Sequence, residues 1–133
     1  MILVDTSVLV SALRGHETRA VKRLKALEAD GVPFGIPLPC ALEVLQGARA
    51  ERDWHLLEEV LAGLDLACPR EPWESHRLAA GIFFDCRRKR LTVRSSLDCL
   101  VAQIALEHDA TLVHDDDDYE RVARVRPLRL MRD

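Results

Sequence analysis

The segment Ile2-Leu3-Val4-Asp5-Thr6-Ser7 decides the fold, because an apolar run stops there at residue types that favour the start of a helix. Residues 2–4 are predicted to form a buried strand, and the apolar residues after Ser7 a helix. Thr111-Leu112-Val113, followed by the acidic run 115–118, repeats the pattern of a strand that ends in aspartate. Short apolar strands that alternate with helical segments are typical of a parallel sheet covered by helices.

The rest of the chain continues this alternation, with proline and glycine between the segments. The spacing of apolar residues predicts helices over 17–30, 54–64, 73–88 and 119–125, with Trp54 in a buried stripe of the second. A further helix after strand 34–36 has Glu43 in its first turns, and another, capped by Ser95 or Ser96, has Asp98 in its first turn. The remaining strands are predicted at 34–36, at 66–68, where the signal is weak, and at the sheet edge over 128–131. We therefore predict one α/β domain over residues 1–133, with a central, mostly parallel sheet and helices on both faces.

Composition fits this interpretation. The chain has 133 residues, of which 48% are hydrophobic and 31% charged, and this excludes a disordered or collagen-like protein. We find no apolar run of about 20 residues and no basic leader segment, so we expect a soluble, cytoplasmic protein without a membrane partner. Four cysteines without CxxC spacing predict reduced thiols, most of them buried.

The net charge of −3, from 19 basic and 22 acidic residues, does not by itself suggest a nucleic-acid partner. The distribution of charge is more informative than the total. Arginine is concentrated in 87–94 and 121–132, whereas several acidic residues stand at the ends of predicted elements. An acidic site in a mildly basic surface is consistent with this distribution.

Four acidic residues are predicted to converge. Asp5 closes the first strand, Asp116 follows strand 111–113, and Glu43 and Asp98 lie near helix starts. The carboxyl ends of parallel strands and the adjoining helix starts form the usual ligand crevice of an open α/β sheet. Carboxylates that lie together repel unless a cation intervenes, and Mg²⁺ or Mn²⁺ prefers such oxygen ligands.

Each acidic residue also has a simpler interpretation. Asp5 is equally typical of a helix cap, Glu43 and Asp98 of residues that complement a helix dipole, and the run 115–118 of a solvated loop. The metal interpretation is favoured because an aspartate directly follows each of two well-formed strands. The five histidines have no paired spacing of the kind that binds zinc.

These residues resemble a known family. The motifs are Val4-Asp5-Thr6-Ser7, Glu43 after the second strand, Ser96-Leu97-Asp98-Cys99-Leu100-Val101-Ala102, and Leu112-Val113-His114-Asp115-Asp116-Asp117-Asp118-Tyr119. In order and separation they are similar to the signatures of PIN-domain ribonucleases, most closely of the VapC type, the toxins of bacterial toxin–antitoxin pairs. The resemblance covers essentially the whole chain.

The resemblance implies a metal-dependent endoribonuclease with catalytic residues Asp5, Glu43, Asp98 and Asp116. Of these, Asp5, Asp98 and Asp116 would bind one or two Mg²⁺ or Mn²⁺ ions, and Glu43 would bind metal directly or through water. Thr6, Ser7 and Asp118 match further positions near the site. Tyr119 stands where the family often has phenylalanine, and four consecutive aspartates leave the choice between Asp115 and Asp116 to the alignment on Tyr119.

The resemblance also implies partners. The substrate would be structured RNA, with transfer RNA or ribosomal RNA as the family's usual target, and its cleavage would inhibit translation. Arginine binds phosphate bidentately, so the candidate RNA-binding residues are Arg14, Arg87, Arg88, Arg90 and Arg94. A cognate VapB-like antitoxin would hold the toxin inactive in a hetero-oligomer, and the aliphatic helices of 17–64 offer a surface for it and for a homodimer.

Two other functions remain open at this point. A phosphatase of the haloacid dehalogenase type also places an aspartate after its first strand, but it needs a second aspartate two residues later, where this chain has Ser7. The other alternative is a catalytically silent PIN-like module that only binds a protein, and the presence of all four acidic residues argues against it.

Overall fold

The computed structural model describes residues 1–132, and the chain alternates between short strands and helices throughout. The strands are β1 (Ile2–Val4), β2 (Gly35–Pro37), β3 (Asp65–Ala67), β4 (Thr111–Val113) and β5 (Arg129–Met131). The helices are α1 (Thr6–Leu13), α2 (Arg19–Ala29), α3 (Leu38–Gln46), α4 (Glu51–Ala62), α5 (Pro72–Arg88), α6 (Ser96–Glu107) and α7 (Asp117–Val122).

The five strands form one sheet in the order β3-β2-β1-β4-β5, and every neighbouring pair is parallel. This confirms the α/β class. The chain first builds the sheet outward from β1 to β3 and then crosses to β4 on the other side of β1. Because crossovers between parallel strands are right-handed, this reversal places helices on both faces of the sheet. It also makes the carboxyl ends of β1 and β4 the switch point of the sheet, where such folds bind ligands.

Two helices begin earlier than the sequence patterns suggest. Helix α1 begins at Thr6 because the Asp5 carboxylate accepts the Ser7 amide hydrogen at 3.1 Å and caps the first turn. Helix α3 begins at Leu38, since Pro39 is tolerated in a first turn. Glu43 therefore lies in the second turn of α3, beyond the helix start where it was predicted. At this position, compensation of the helix dipole does not explain the residue.

The core lies between the sheet and its helices. Its largest fully buried apolar side chains include Leu3, Ile36, Ile82, Ile104 and Leu112. Trp54 does not belong to it: 42% of this residue is exposed, because the apolar stripe of α4 is wider than the surface against which the helix packs. Three of the four free cysteines are buried, as predicted, and Cys68 is exposed. Within residues 1–132, we find no helix with the length and apolar character needed to cross a bilayer.

Candidate metal centre

The site begins where β1 and β4 end side by side. Val4 is paired with Val113 in the sheet, and the Asp5 amide donates to the Val113 carbonyl oxygen at 2.9 Å. Beyond β4 the chain turns through His114 into α7, and the Asp116 carboxylate caps this helix by accepting the Asp118 amide hydrogen at 2.9 Å. Both strand ends therefore present an aspartate that doubles as a helix cap.

A third aspartate reaches the same place from α6. Ser95 caps this helix, so Asp98 lies in the first turn as predicted. One carboxylate oxygen from each of Asp98, Asp116 and Asp118 lies within 4.8 Å of the other two. Oxygens at such separations can share one divalent cation.

Asp5 is joined to this group through Tyr119. The Tyr119 hydroxyl donates to Asp5 Oδ1 at 2.6 Å, and its oxygen lies 3.3 Å from Asp98 Oδ1. The other oxygen of Asp5 accepts hydrogen bonds from the Ser7 hydroxyl at 2.6 Å and from the Ser7 amide. Asp5 is 5% exposed, so its carboxylate is buried and held on both sides.

Glu43 is anchored on the neighbouring side of the site. Its Oε1 accepts a hydrogen bond from the Thr6 hydroxyl at 2.9 Å. Burial, with the negative charges of Asp5 and Asp116, raises the pKa of Glu43 although the bond from Thr6 lowers it. The charges of two other aspartates therefore act on Glu43, which places it in the same electrostatic environment. We call Asp5, Glu43, Asp98, Asp116 and Asp118 the acidic cluster.

The members of the acidic cluster differ in their positive neighbours. Asp118 is 1% exposed and receives a hydrogen bond from Arg121 at 2.9 Å and one from the Arg94 amide at 3.1 Å. No lysine or arginine in residues 1–132 pairs with Asp98. Burial and the charge of Asp116 raise the pKa of Asp98 to about 8, so without a cation this carboxyl holds a proton near neutral pH.

A divalent cation fits this donor set. The oxygens are carboxylate oxygens, the ligands that Mg²⁺ and Mn²⁺ prefer, and the arginines leave Asp98 without a positive partner. Asp118 is the exception within the group, because Arg121 and Arg94 already occupy its oxygens. Its geometry suits the orientation of those arginines better than direct binding of an ion.

The structure separates the two aspartates between which the sequence left the register open. The Asp116 carboxylate lies beside Asp98. The Asp115 carboxylate lies 3.7 Å from Arg132 Nε, and its main-chain amide donates to the Ser7 hydroxyl. Asp117 also turns to Arg132, at 2.9 Å, and this arginine lowers the pKa of Asp117.

His114, which directly precedes the acidic run in sequence, supports the acidic cluster. This residue is fully buried, and its Nδ1 accepts the Asp116 amide hydrogen at 3.1 Å. Its Nε2 faces Glu120 Oε1 at 3.1 Å, so the neutral ring with hydrogen on Nε2 satisfies both contacts. Burial and the nearby Arg132 lower the pKa of His114, which favours this neutral form.

Of the five candidate RNA-binding arginines, Arg94 lies at the acidic cluster. Its guanidinium is 3.4 Å from Asp116 and 3.7 Å from Asp118, while 71% of the side chain is exposed. Arg87 and Arg88 lie over the rings of Phe83 and Phe84 on α5. In the described part of the chain, no hydrogen bond or ion pair joins Arg14, Arg87, Arg88 or Arg90 to the acidic cluster.

Comparison with known proteins agrees with this architecture. Residues 2–125 match the model of the PIN domain family. The ribonuclease VapC11 of Mycobacterium tuberculosis is 35% identical to the chain over 130 residues, which cover 97% of this chain and 96% of the relative. The chain therefore belongs to the PIN domain family, and within it to the group of the VapC proteins.

Solved structures extend the likeness to the whole fold. A DNA-bound VapBC from Salmonella typhimurium matches with a TM-score of 0.76 at 16% identity, over 98% of this chain and 96% of the other. VapBC2 from Rickettsia felis, bound to a DNA fragment from its promoter, matches with a TM-score of 0.74 at 21% identity and 98% coverage of both chains. At these identities the likeness concerns the fold. The phosphatase alternative finds no support in these comparisons.

Proposed function

We propose that this protein is a divalent-metal-dependent endoribonuclease and the toxin of a toxin–antitoxin pair. The observation that carries the proposal is the acidic cluster at the switch point of the sheet, with Asp98 lacking a positive partner. The names of its relatives, ribonucleases of the VapC group, support hydrolysis of RNA as the reaction. All of this belongs to one domain over residues 1–133, which acts where RNA is present, in the cytoplasm.

Asp5, Asp98 and Asp116 would hold one or two ions of Mg²⁺ or Mn²⁺, with Glu43 at their side. Such an ion supplies Lewis acidity and activates water for attack on a phosphodiester. The protein's own contribution is preorganisation: Ser7 and Tyr119 fix Asp5, and Thr6 fixes Glu43. His114 holds the backbone of Asp116. The carboxylates are therefore in place before a substrate arrives, which lowers the cost of reorganisation.

Arg94 is the residue best placed to bind the substrate phosphate. Its guanidinium lies at the rim of the acidic cluster, and Asp118 accepts a hydrogen bond from its main-chain amide. Exposed guanidinium groups bind phosphate through paired hydrogen bonds. Arg14, Arg87, Arg88 and Arg90 would add contacts farther along a structured RNA such as transfer RNA or ribosomal RNA, and cleavage would inhibit translation.

An antitoxin is the proposed protein partner. Helices α1 and α4 border an apolar groove of about 370 Å³ whose lining includes Leu13 and Leu56, which are 46% and 51% exposed. A helix with apolar anchors fits such a groove. The solved VapBC neighbours support a complex with an antitoxin. We propose that the toxin forms a homodimer within this hetero-oligomer. Leu13→Asp and Leu56→Asp should abolish co-purification with the protein encoded beside this chain, while circular dichroism stays unchanged.

Cleavage of RNA tests the enzymatic proposal directly. Total RNA is incubated with the protein, freed of any bound partner, in Mg²⁺, Mn²⁺ or EDTA. We expect discrete fragments that require metal and that disappear with Asp5→Asn. A folded protein that binds Mn²⁺ but cleaves none of these RNAs would contradict general ribonuclease activity, and failure to bind metal as well would favour the silent binding module.

Asp115 provides a matched control for the site itself. Asp116→Asn and Asp115→Asn remove the same charge from neighbouring residues, but only Asp116 belongs to the acidic cluster. We expect the first variant to lose cleavage by a factor of about a hundred or more and the second to retain it within a factor of about three. Equal loss in both variants would contradict the proposed site.

A further inference from the structure

One buried hydroxyl bridges two acidic side chains that come from different parts of the chain. Tyr119 is fully buried, and its hydroxyl oxygen lies 2.6 Å from Asp5 Oδ1 and 3.3 Å from Asp98 Oδ1. The phenol has a single proton, which it donates to the nearer oxygen on Asp5. Asp5 follows β1 and Asp98 belongs to α6, so the tyrosine connects two elements that no local motif joins.

The position of the Tyr119 ring is fixed independently of these two carboxylates. The ring packs edge-on against His114, with 5.3 Å between the ring centroids. Its backbone belongs to α7, the helix that the Asp116 carboxylate caps. The hydroxyl therefore cannot move away from Asp5 without displacing the ring or α7, the helix that Asp116 caps.

We propose that Tyr119 is a positioning residue that holds Asp5 and Asp98 at the separation needed to bind one divalent cation together. This inference rests on the proposed function, because it assigns the two aspartates to a metal site. Groups that hydrogen-bond to metal-binding carboxylates orient them, and loss of such a group typically weakens metal binding by about 10–100-fold. Without the hydroxyl, Asp5 Oδ1 loses its short hydrogen bond, and the contact that connects it to Asp98 Oδ1 is gone.

Mn²⁺ binding measures this effect without any RNA. The free ion is followed by electron paramagnetic resonance during titration of the partner-free wild type and of Tyr119→Phe, which keeps the ring and removes the hydroxyl. We expect the affinity of the variant to be about tenfold weaker. An affinity within twofold of the wild type would overturn the proposal, even if the variant were less stable.

Ser75→Ala is the matched control for a structural effect. Ser75 is also buried, and its hydroxyl donates to a carboxylate, that of Glu107 at the other end of α6. We expect this variant to unfold more easily, with an unchanged affinity for Mn²⁺. Equal weakening of Mn²⁺ binding in both variants would show that general destabilisation causes the loss, and would overturn the role of Tyr119.

Tyr119 is the chain's only tyrosine, which provides a second measurement on a protein without any mutation. Incorporation of 3-fluorotyrosine gives one fluorine resonance, and we expect Mg²⁺ to shift it along the same saturation curve as metal binding. If saturating Mg²⁺ leaves this resonance unmoved, the proposal is overturned. This test uses the wild-type sequence, so it holds even if Tyr119→Phe fails to fold. A wild type that binds no Mn²⁺ would instead contradict the proposed function.

Discussion

The two ends of α6 each hold a half-buried carboxylate, and the protein treats the two groups in opposite ways. At the carboxyl end, Glu107 accepts hydrogen bonds from the Ser75 hydroxyl at 2.7 Å, the Gln103 amide at 2.9 Å and the Arg70 backbone at 3.0 Å. At the amino end, Asp98 has the Tyr119 hydroxyl at 3.3 Å, and its other neighbours are further acids.

The consequences for protonation are opposite as well. Burial alone would raise the pKa of Glu107, but its three hydrogen bonds outweigh burial and the pKa is lowered. Burial and neighbouring negative charges raise the pKa of Asp98 to about 8. Glu107 accepts hydrogen bonds from the protein, and its carboxylate therefore contributes to the structure. Asp98 lies among other acidic groups, and its negative charge needs a cation as a partner.

Replacement of the carboxylate by an amide at either end of α6, in Asp98→Asn and in Glu107→Gln, should give the largest difference in the rate of RNA cleavage. Asp98→Asn removes a proposed metal ligand and is expected to slow RNA cleavage by about a thousandfold, since metal catalysis contributes several kcal/mol. Glu107→Gln keeps an oxygen acceptor far from the acidic cluster and should cleave within about twofold of the wild type. Initial rates with equal amounts of folded protein decide this comparison, and equal rates for the two variants would refute it.

Stabilisation of the protein by metal should depend on Asp98 at one end of α6 and not on Glu107 at the other. At about a hundred times its dissociation constant, Mn²⁺ is expected to raise the free energy of unfolding by about 2.7 kcal/mol in the wild type and in Glu107→Gln. The gain should vanish in Asp98→Asn. Urea denaturation with Mn²⁺ and with EDTA measures it; a full gain in Asp98→Asn would place the ion elsewhere.

In the metal-free protein, Asp98 and Glu107 at the two ends of α6 should change the free energy of unfolding with pH in opposite directions. The raised pKa of Asp98 means that its contribution to stability is complete below pH 3.8, its unfolded value, and is lost as pH rises through about 8. Asp98 is half-buried and partly screened by solvent, so we expect a loss of about 2 kcal/mol between pH 5 and 8. Urea midpoints in EDTA should fall over this range, and Asp98→Asn should flatten the fall. The same slope in the variant would assign it to another group.

The lowered pKa of Glu107 gives the smallest effect. Its contribution is present above its unfolded pKa of 4.5 and is lost as pH falls below that value. Glu107→Ala leaves Ser75 and Gln103 without their acceptor, so we expect a loss of about 1–2 kcal/mol at pH 7 that shrinks in acid. Thermal melts at pH 7 and pH 4 measure both parts. A loss that is equal at the two pH values would mean that packing, rather than the charge, is responsible.

Much of the architecture could be predicted from the sequence, because strands and helices leave periodic patterns. The convergence of Asp5 and Asp116 also follows from simple geometry, since parallel strands end at one edge of a sheet. The start of α3 was misplaced because Pro39 is compatible with two positions, before a helix and in its first turn. The burial of Trp54 was overestimated because periodicity gives the direction of a side chain, not the size of the surface that covers it.

The connections within the acidic cluster could not be predicted in the same way. The bridge from Tyr119 to Asp5 spans 114 positions in sequence, and it depends on the rotamers of two buried side chains. The bond from the Asp116 amide to His114 is local, but only the turn after β4 directs the ring nitrogen inward. A tyrosine in place of the family's frequent phenylalanine was the one available signal, since a buried hydroxyl requires a partner.

Each strand of the sheet has only three residues, a span of about 10 Å. Val4 and Val113 are fully buried, and each lies within three positions of a proposed metal-binding aspartate. The buried centre of the sheet therefore lies directly beside the proposed metal site. Stabilising substitutions are therefore better tolerated on the exposed surface of α2 than in the sheet, since a repacked sheet would displace the aspartates that follow its strands.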